Sequence, residues 1–127
     1  MPTSKLHPLL VLAVGLAGCA KSPPTMAHYQ PVSHWIDVLM GSDMVAKMQA
    51  VRILGNVGPA DPRAIDALTG AVGDGQVAVR REAILALLKL GPAAKAAVPA
   101  LREAQADGDA TVRAYATRAL EKVERAK

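Results

Sequence analysis

The chain has 127 residues, enough for one domain of ordinary size, with a formal net charge of +4 at pH 7. Hydrophobic residues make up 51% but phenylalanine is absent, so the core depends on alanine and aliphatic side chains, which favour closely packed helices over a sheet. A single cysteine excludes a disulfide framework and a multi-cysteine zinc site, and the modest, interspersed positive charge does not indicate nucleic acid as a partner.

Residues 1–18 have the three parts of an export signal. Lys5 and the starting amine supply positive charge, Leu9–Ala17 is a charge-free apolar run, and small residues precede Cys19. The run is too short for a bilayer core of about 30 Å, but it has the length of a cleaved signal. A short buried helix is the alternative interpretation. The position at the N-terminus and the proline-rich sequence that follows favour a signal peptide.

The tetrapeptide Leu16-Ala17-Gly18-Cys19 resembles the lipobox of bacterial lipoproteins at all four positions. The resemblance implies that the chain is cut before Cys19, which then carries the lipid anchor in the bacterial cell envelope. Several acyl chains, at about 0.8 kcal/mol per buried methylene, would make attachment durable. By resemblance to enterobacterial lipoproteins, the absence of aspartate at residue 20 favours the outer over the inner membrane.

A short tether is predicted over residues 19–31, because three prolines interrupt this stretch and no helical periodicity is present. His28 and His34 lie six residues apart across a proline, with no acidic or cysteine partner placed nearby. We therefore expect solvent-exposed histidines here and no metal site.

The rest of the chain, residues 32–127, repeats itself with a period of 33 residues. Alanine, leucine and basic residues recur in the same register, and the tail at Val57-Gly58-Pro59 returns at Leu90-Gly91-Pro92. The clearest columns are Ala50, Ala83 and Ala116; Leu54, Leu87 and Leu120; and Lys47, Arg80 and Arg113. The period divides this region into units of about 32–58, 62–91 and 95–124.

Each unit is predicted to form two helices. In the second unit, Asp61 and Pro62 have the residue types of a helix N-cap and first helical position. A second helix is predicted over about Val77–Leu90, ended by Gly91. The second helices of the other units are expected to have Asp43 and Asp109 as their N-caps. An apolar stripe on each pair must be buried against its neighbours, so the units stack.

These units resemble the short HEAT-like repeats of bacterial proteins. The resemblance rests on Val79-Arg80, Val112-Arg113, the alanines at Ala83 and Ala116, and the tails LLKLGP and ALEKV. It implies an all-α solenoid of three two-helix repeats, with the second helices lining the concave side. It also implies a structural ladder of basic and acidic side chains: Lys47, Arg80 and Arg113 with Asp43, Asp74, Asp107 and Asp109.

No catalytic constellation can be assembled from this sequence. All histidines precede residue 35, no serine follows Ser42, and no phosphate-binding loop, dinucleotide fingerprint or His-Glu metal motif is present. The sequence therefore predicts no enzyme activity, cofactor or metal.

On the predicted concave side, the positions not used for the core combine basic, aromatic and apolar residues, as in protein-binding patches. These positions are Met48, Gln49, Arg52, Asn56, Arg81, Glu82, Leu85, Lys89, Ala114, Tyr115, Arg118 and Lys122. An ordinary solvated surface is the alternative. We expect contact with an acidic protein segment or an anionic polymer at the cell envelope, and a non-catalytic role as an interaction module or assembly scaffold.

Two other functions stay open. Related short HEAT-like repeats occur in bilin lyases, so a lyase-like or accessory protein handling a tetrapyrrole is one, and an envelope spacer is the other. Three units are near the minimum for a stable stack, so a homodimer or a partner that completes the stack is also an open alternative.

Overall fold

The structure is a computed structural model that describes residues 30–125. The predicted signal peptide, Cys19 and the tether up to residue 29, with His28, lie outside the described residues. Helices account for most of the described part, and no strand occurs between residues 30 and 125. The α-helices are α1 (Val32–Leu39), α2 (Met44–Val57), α3 (Pro62–Ala71), α4 (Val77–Leu90), α5 (Val98–Ala104) and α6 (Ala110–Arg125).

Aspartate side chains begin several of these helices. Asp43 accepts hydrogen bonds from two backbone N–H groups in the first turn of α2, at 2.9 and 3.2 Å. Asp61 accepts one from the first turn of α3 at 2.9 Å, and Asp109 one from the first turn of α6 at 2.9 Å. These bonds satisfy N–H groups that have no partner inside the helix, so the helix starts are determined by local sequence.

Glycine ends two of the second helices in different ways. Gly91 has a φ of 58°, a backbone conformation that a side chain disfavours, and it ends α4. Gly58 follows α2 with helical backbone angles and opens the 3₁₀ segment Gly58–Ala60. The corresponding 3₁₀ segment after α4 is longer, Gly91–Ala97.

The third unit therefore starts differently from the second. The 3₁₀ segment occupies the residues before Val98, and α5 begins only at Val98 with Pro99 in its first turn. Proline is tolerated there because its missing N–H would have no partner inside the helix.

The six helices pair into three hairpins that stack in sequence. α1 packs on α2, α3 on α4, and α5 on α6, while α4 contacts both α2 and α6. The second helices α2, α4 and α6 thus form one layer, and the first helices with the 3₁₀ segment before α5 lie on its other side. The predicted all-α fold of stacked two-helix units is confirmed.

Equivalent positions of the repeat occupy equivalent places in the core. Ala50, Ala83 and Ala116 are all fully buried, and Leu54 and Leu87 are fully buried one turn later. Alanine in this column keeps the helices close together, while leucine supplies most of the buried apolar area.

The last unit replaces buried residues with polar ones. Gln105 and Thr117 occupy the columns of buried Val72 and Ile84, but both are exposed. The Gln105 side-chain amide donates to the Thr117 hydroxyl at 3.1 Å. This end of the described stack therefore presents a hydrogen-bonded polar surface, as terminal repeats commonly do.

By length and composition alone, Val77–Ala104 would pass as a membrane-spanning helix. The stretch is not one regular helix, because Gly91 has a positive φ and Ala94 departs from helical angles. Several of its apolar side chains, including those of Val79 and Leu87, are fully buried in the repeat core. Its apolar character is explained by packing between repeats.

Substitutions at two glycines can test how closely the helices pack. A Cβ added at Gly58 would lie 2.8 and 2.9 Å from the two methyl carbons of half-buried Leu90, whose side chain must rotate to make room, so Gly58→Ala should lower the free energy of unfolding by about 0.5–1.5 kcal/mol. At Gly70, near the end of α3, an added Cβ meets nothing within 4 Å. Gly70→Ala should therefore raise stability, by up to about 1 kcal/mol. Denaturant unfolding followed by circular dichroism measures both, and equal effects would contradict the packing described.

Candidate functional site

Ion pairs join each unit to the next along the edge where the helices of a hairpin turn. The Lys47 ammonium lies 2.9 Å from an Asp74 carboxylate oxygen, and each side chain is only 11% exposed. At the next junction, Arg80 donates to both carboxylate oxygens of Asp107, at 2.9 and 3.1 Å. In both cases the carboxylate lies 27 residues after the cation, so each pair crosses from one unit to the following one.

The arginines of this ladder are also held within their own unit. Arg80 donates to the backbone carbonyl of Asp74 at 2.9 Å, and Arg113 donates to that of Asp107 at 2.7 Å. Arg113 makes no ion pair within residues 30–125. Asp43 was expected in the ladder; in the described part of the chain it caps α2 and forms no ion pair. The ladder thus consists of two charge pairs, and both charged partners are nearly buried.

Arg81, which was expected to lie on the binding patch, also takes part in an ion pair. Its guanidinium donates to both carboxylate oxygens of Asp109, at 3.1 and 2.9 Å, so it forms a second link between the last two units. At the first junction, Met48 and Gln76 occupy the equivalent positions, and the buried Gln76 Oε1 has no hydrogen-bond partner among the described residues. The second junction is therefore tied by more charged contacts than the first.

These contacts lower the pKa values of the aspartates. The pKa of Asp107 lies below its ordinary value chiefly because the backbone N–H of Asp109 donates to it, and next because of the Arg80 guanidinium. The hydrogen bond from Arg81 is the main cause of the lowered pKa of Asp109. Burial by itself raises the pKa of Asp74, but hydrogen bonds from its ion-pair partner and a backbone N–H outweigh it, so this pKa is also lowered.

The solvent-facing side of α2, α4 and α6, here called the second-helix face, has a different charge arrangement. Arg52, Lys89, Arg118 and Lys122 are exposed on it, and none of them makes an ion pair with a carboxylate of residues 30–125. Five other cations of the described chain are each paired with an acid. Glu82 and Glu121 lie among these cations, so the second-helix face carries an excess of positive over negative charge.

A groove runs between α2 and α4 on this face. Its volume is about 490 Å³, and Arg52, Asn56, Glu82 and Lys89 are among the residues that line it. Gly55 lies at its floor, where an added Cβ would come within 3.2 Å of the Ala86 methyl. The glycine therefore allows α2 and α4 to approach closely beneath the groove.

A smaller groove lies farther along the same layer. Its volume is about 200 Å³, and it is lined by Leu88 of α4 and by Arg118, Glu121, Lys122 and Arg125 of α6. The positive side chains of α6 thus line a second groove beside the larger one. Arg118 and Lys122 were predicted from the sequence as binding residues, whereas Glu121, Arg125 and the floor residue Gly55 were not.

The apolar residues assigned to the patch are only partly available. Met48 and Tyr115 are half-buried and pack against the core, and Leu85 is half-buried. Gln49 is exposed. The accessible surface is therefore a strip of mainly basic and amide side chains. It exposes little apolar area, because the larger apolar side chains are partly packed into the core.

The described residues show no cluster of metal ligands: no group of three or more histidine, cysteine or carboxylate side chains is positioned to hold an ion between residues 30 and 125. His34 lies exposed on α1, with its ring edge-to-face against Trp35 at a centroid distance of 4.9 Å. What the second-helix face can do chemically is attract and hold anionic groups.

Comparison with known proteins agrees with this architecture. Residues 32–121 match the family described as HEAT repeats, and the chain belongs to that family. HEAT repeats generally act as scaffolds for protein interactions. A search of curated proteins finds none that matches the chain.

The ladder predicts how stability changes with pH. A carboxylate whose pKa is lowered on folding stabilises the folded state above its unfolded value, near 3.9, and that stability is lost as the pH falls through the folded value. Asp107→Asn should lower the free energy of unfolding at neutral pH by about 1–2 kcal/mol, with the difference from the parent shrinking below about pH 4.

The measurement is urea unfolding over a series of pH values. Asp66→Asn is the matched control, because Asp66 is exposed and makes no ion pair in the described part of the chain. A destabilisation by Asp107→Asn that stays constant into acid would show that the ion pair is not its source.

Proposed function

We propose that this protein is a lipid-anchored scaffold of the bacterial cell envelope, which holds an acidic protein partner on its second-helix face without catalysing a reaction. The observation that carries the proposal is the excess of exposed positive charge on this face, where four cations outnumber Glu82 and Glu121. Successive second helices expose the cations Arg52, Lys89, Arg118 and Lys122. The cations at the repeat junctions instead form ion pairs with aspartates.

The arrangement suits a protein partner better than a small substrate. The grooves are open, lie side by side on one layer of helices, and are lined by charged and amide side chains. Complementary charge of this kind speeds encounter and fixes register, while partly buried apolar residues such as Tyr115 supply local contact. HEAT geometry makes the second-helix layer the concave side, which is the side that can partly enclose a partner.

The anchor is supported by the N-terminal sequence. The apolar run Leu9–Ala17 and the LAGC tetrapeptide ending at Cys19 have the order that lipoprotein export requires. A fatty-acylated Cys19 followed by a proline-containing tether would hold the repeats near, but outside, the bilayer. The residue after Cys19 is alanine, which favours the outer membrane.

Handling of a tetrapyrrole is the alternative function, and it predicts a different signal. A bound bilin or haem changes its absorbance when it enters an apolar site, whereas a protein-binding surface leaves the spectrum unchanged. Mixing the purified protein with either pigment distinguishes the two functions.

The anchor can be tested by Cys19→Ala. This substitution removes the acyl acceptor, so the protein should leave the membrane fraction and retain an uncleaved leader, because processing depends on the modified cysteine. Fractionation and mass spectrometry of the N-terminus measure both effects. A variant that is cleaved normally and stays with the membrane would refute lipid anchoring at this residue.

The binding face can be tested by charge reversal in the native membrane. Arg52→Glu, Arg118→Glu and Lys122→Glu together should reduce cross-linking to an acidic partner by at least about tenfold, because attraction becomes repulsion at three places. Arg81 is left unchanged, since its ion pair with Asp109 supports the fold.

Lys95→Glu provides the matched control, because Lys95 is exposed on the 3₁₀ segment before α5 and lies off the second-helix face. Circular dichroism confirms that both variants keep their helices. Undiminished cross-linking by the triple variant would refute the proposed face.

A further inference from the structure

The two ends of the described stack differ in the residues that they expose. The third unit has exposed Gln105 and Thr117 where earlier units have buried apolar residues, so its outer end is polar. At the other end, Val45 is 72% exposed in the first turn of α2, although the equivalent residues of later units are half-buried. The first unit therefore has an apolar outer side that residues 30–125 leave uncovered.

The repeat shows which positions lie on this outer side. Ala86 faces the preceding unit, because it lies against α2, and the residue 33 positions earlier is Ile53. Ala71 also faces the preceding unit, because it lines a groove with residues of α1, and its equivalent is Val38. Both Ile53 and Val38 are half-buried, whereas the two alanines are buried. Aliphatic side chains larger than alanine thus lie where no preceding unit covers them.

The outer side also carries less charge than the internal junctions. In the second unit, Glu82 and Lys89 line the groove that faces α2, whereas the equivalent residues of the first unit are Gln49 and Asn56. Both amides are exposed. Asp37, exposed on α1, keeps a negative charge at the first-helix edge. We call Val38, Val45, Gln49, Ile53 and Asn56 the N-terminal end face.

A further repeat of the same kind does not fit this face. At the internal junctions, Asp74 and Asp107 receive the cation of the preceding unit, but Gly41 occupies the equivalent position of the first unit. The internal junctions also have alanine where this face has Val38 and Ile53. Head-to-tail stacking of two copies would therefore deprive Arg113 of its usual carboxylate and overcrowd the contact.

An anionic bilayer surface also fits poorly. Apolar surfaces that dock on such bilayers are flanked by lysine and arginine, which the lipid headgroups attract. Here Asp37 and Asp43 flank the turn before the exposed Val45. Lys47, the cation nearest in sequence, is already paired with Asp74.

We propose that the N-terminal end face joins two copies of this chain in a two-fold symmetric dimer. Such a contact uses the same patch on both copies, so the patch must be complementary to itself. The N-terminal end face meets this condition, because its apolar side chains bury one another and the amides of Gln49 and Asn56 can both donate and accept hydrogen bonds.

The proposed anchor favours this contact. The connection to Cys19 ends at Pro31, directly before α1, so it leaves the domain from the same unit that carries the N-terminal end face. Two anchored copies would hold these faces near one membrane surface, where their effective concentration is raised. Lys89, Arg118 and Lys122 lie in the other two units, outside the contact, and stay available in both copies.

The contact is tested by the size of the full-length protein in detergent as its concentration is raised. Sedimentation equilibrium should show monomers associating to dimers and to no larger species. Val45→Glu introduces a carboxylate on each copy into the apolar contact, so the dimer dissociation constant should rise at least about tenfold. Gln105→Glu adds the same charge to the polar end and should leave the constant unchanged. Circular dichroism checks that both variants, each at an exposed position, keep their helices.

Cross-linking in the native membrane locates the contact. A short bifunctional maleimide should join two copies of Val45→Cys or of Gln49→Cys, and it should not join two copies of Gln105→Cys. The parent protein is the control for Cys19. The triple charge reversal of the second-helix face should leave the dimer unchanged, so failure of the dimer and failure of the proposed function are distinguishable.

Three results would overturn the inference. Species larger than a dimer that both glutamate variants reduce would show head-to-tail stacking. A dimer that Val45→Glu leaves intact would place the contact elsewhere. A monomer at every concentration would show another cover, which a fluorophore on Val45→Cys identifies: a blue shift with phosphatidylglycerol vesicles indicates the bilayer, and a red shift when residues 20–29 are replaced by glycine and serine indicates the tether.

Discussion

Burial between neighbouring hairpins is the constraint on which this structure depends. A single pair of helices cannot cover its own apolar stripe, so Val51, Ile84 and Leu87 become fully buried only where one unit lies against the next. Small residues set the distance at which this happens. The Gly55–Ala86 contact brings α2 and α4 together, and Gly58 leaves the space that the Leu90 side chain fills.

The same stacking determines which charged side chains form ion pairs and which remain exposed to solvent. At the turns, Lys47, Arg80 and Arg81 face carboxylates of the following unit and fix its register. The pairs of Lys47 and Arg80 are nearly buried, so truncating one partner leaves the other charge without compensation, which makes these two positions structural. On the second-helix face the cations point to solvent and make no ion pair with a carboxylate of residues 30–125, although Glu82 and Glu121 lie in the same grooves. A repeat protein of modest net charge can therefore still offer a basic strip.

The proposed anchor and the proposed binding face act together. A lipid at Cys19 would restrict the protein to a membrane surface and raise the effective concentration of any partner held there. The second-helix face would then need only modest affinity, because exposed ion pairs are individually weak and several must act together.

The sequence by itself determined the helices and the repeat. The N-caps were predicted correctly at Asp43, Asp61 and Asp109, because capping depends on neighbours within a few residues. The alanine column is buried as predicted, because the apolar pattern of each helix already shows which of its sides faces the core. Partners across a junction lie 27 or 28 residues away and depend on the angle at which two units pack. Only the tertiary structure could therefore show that Arg81 binds Asp109, that Asp43 stays outside the ladder, and that Gly55 forms the floor of a groove.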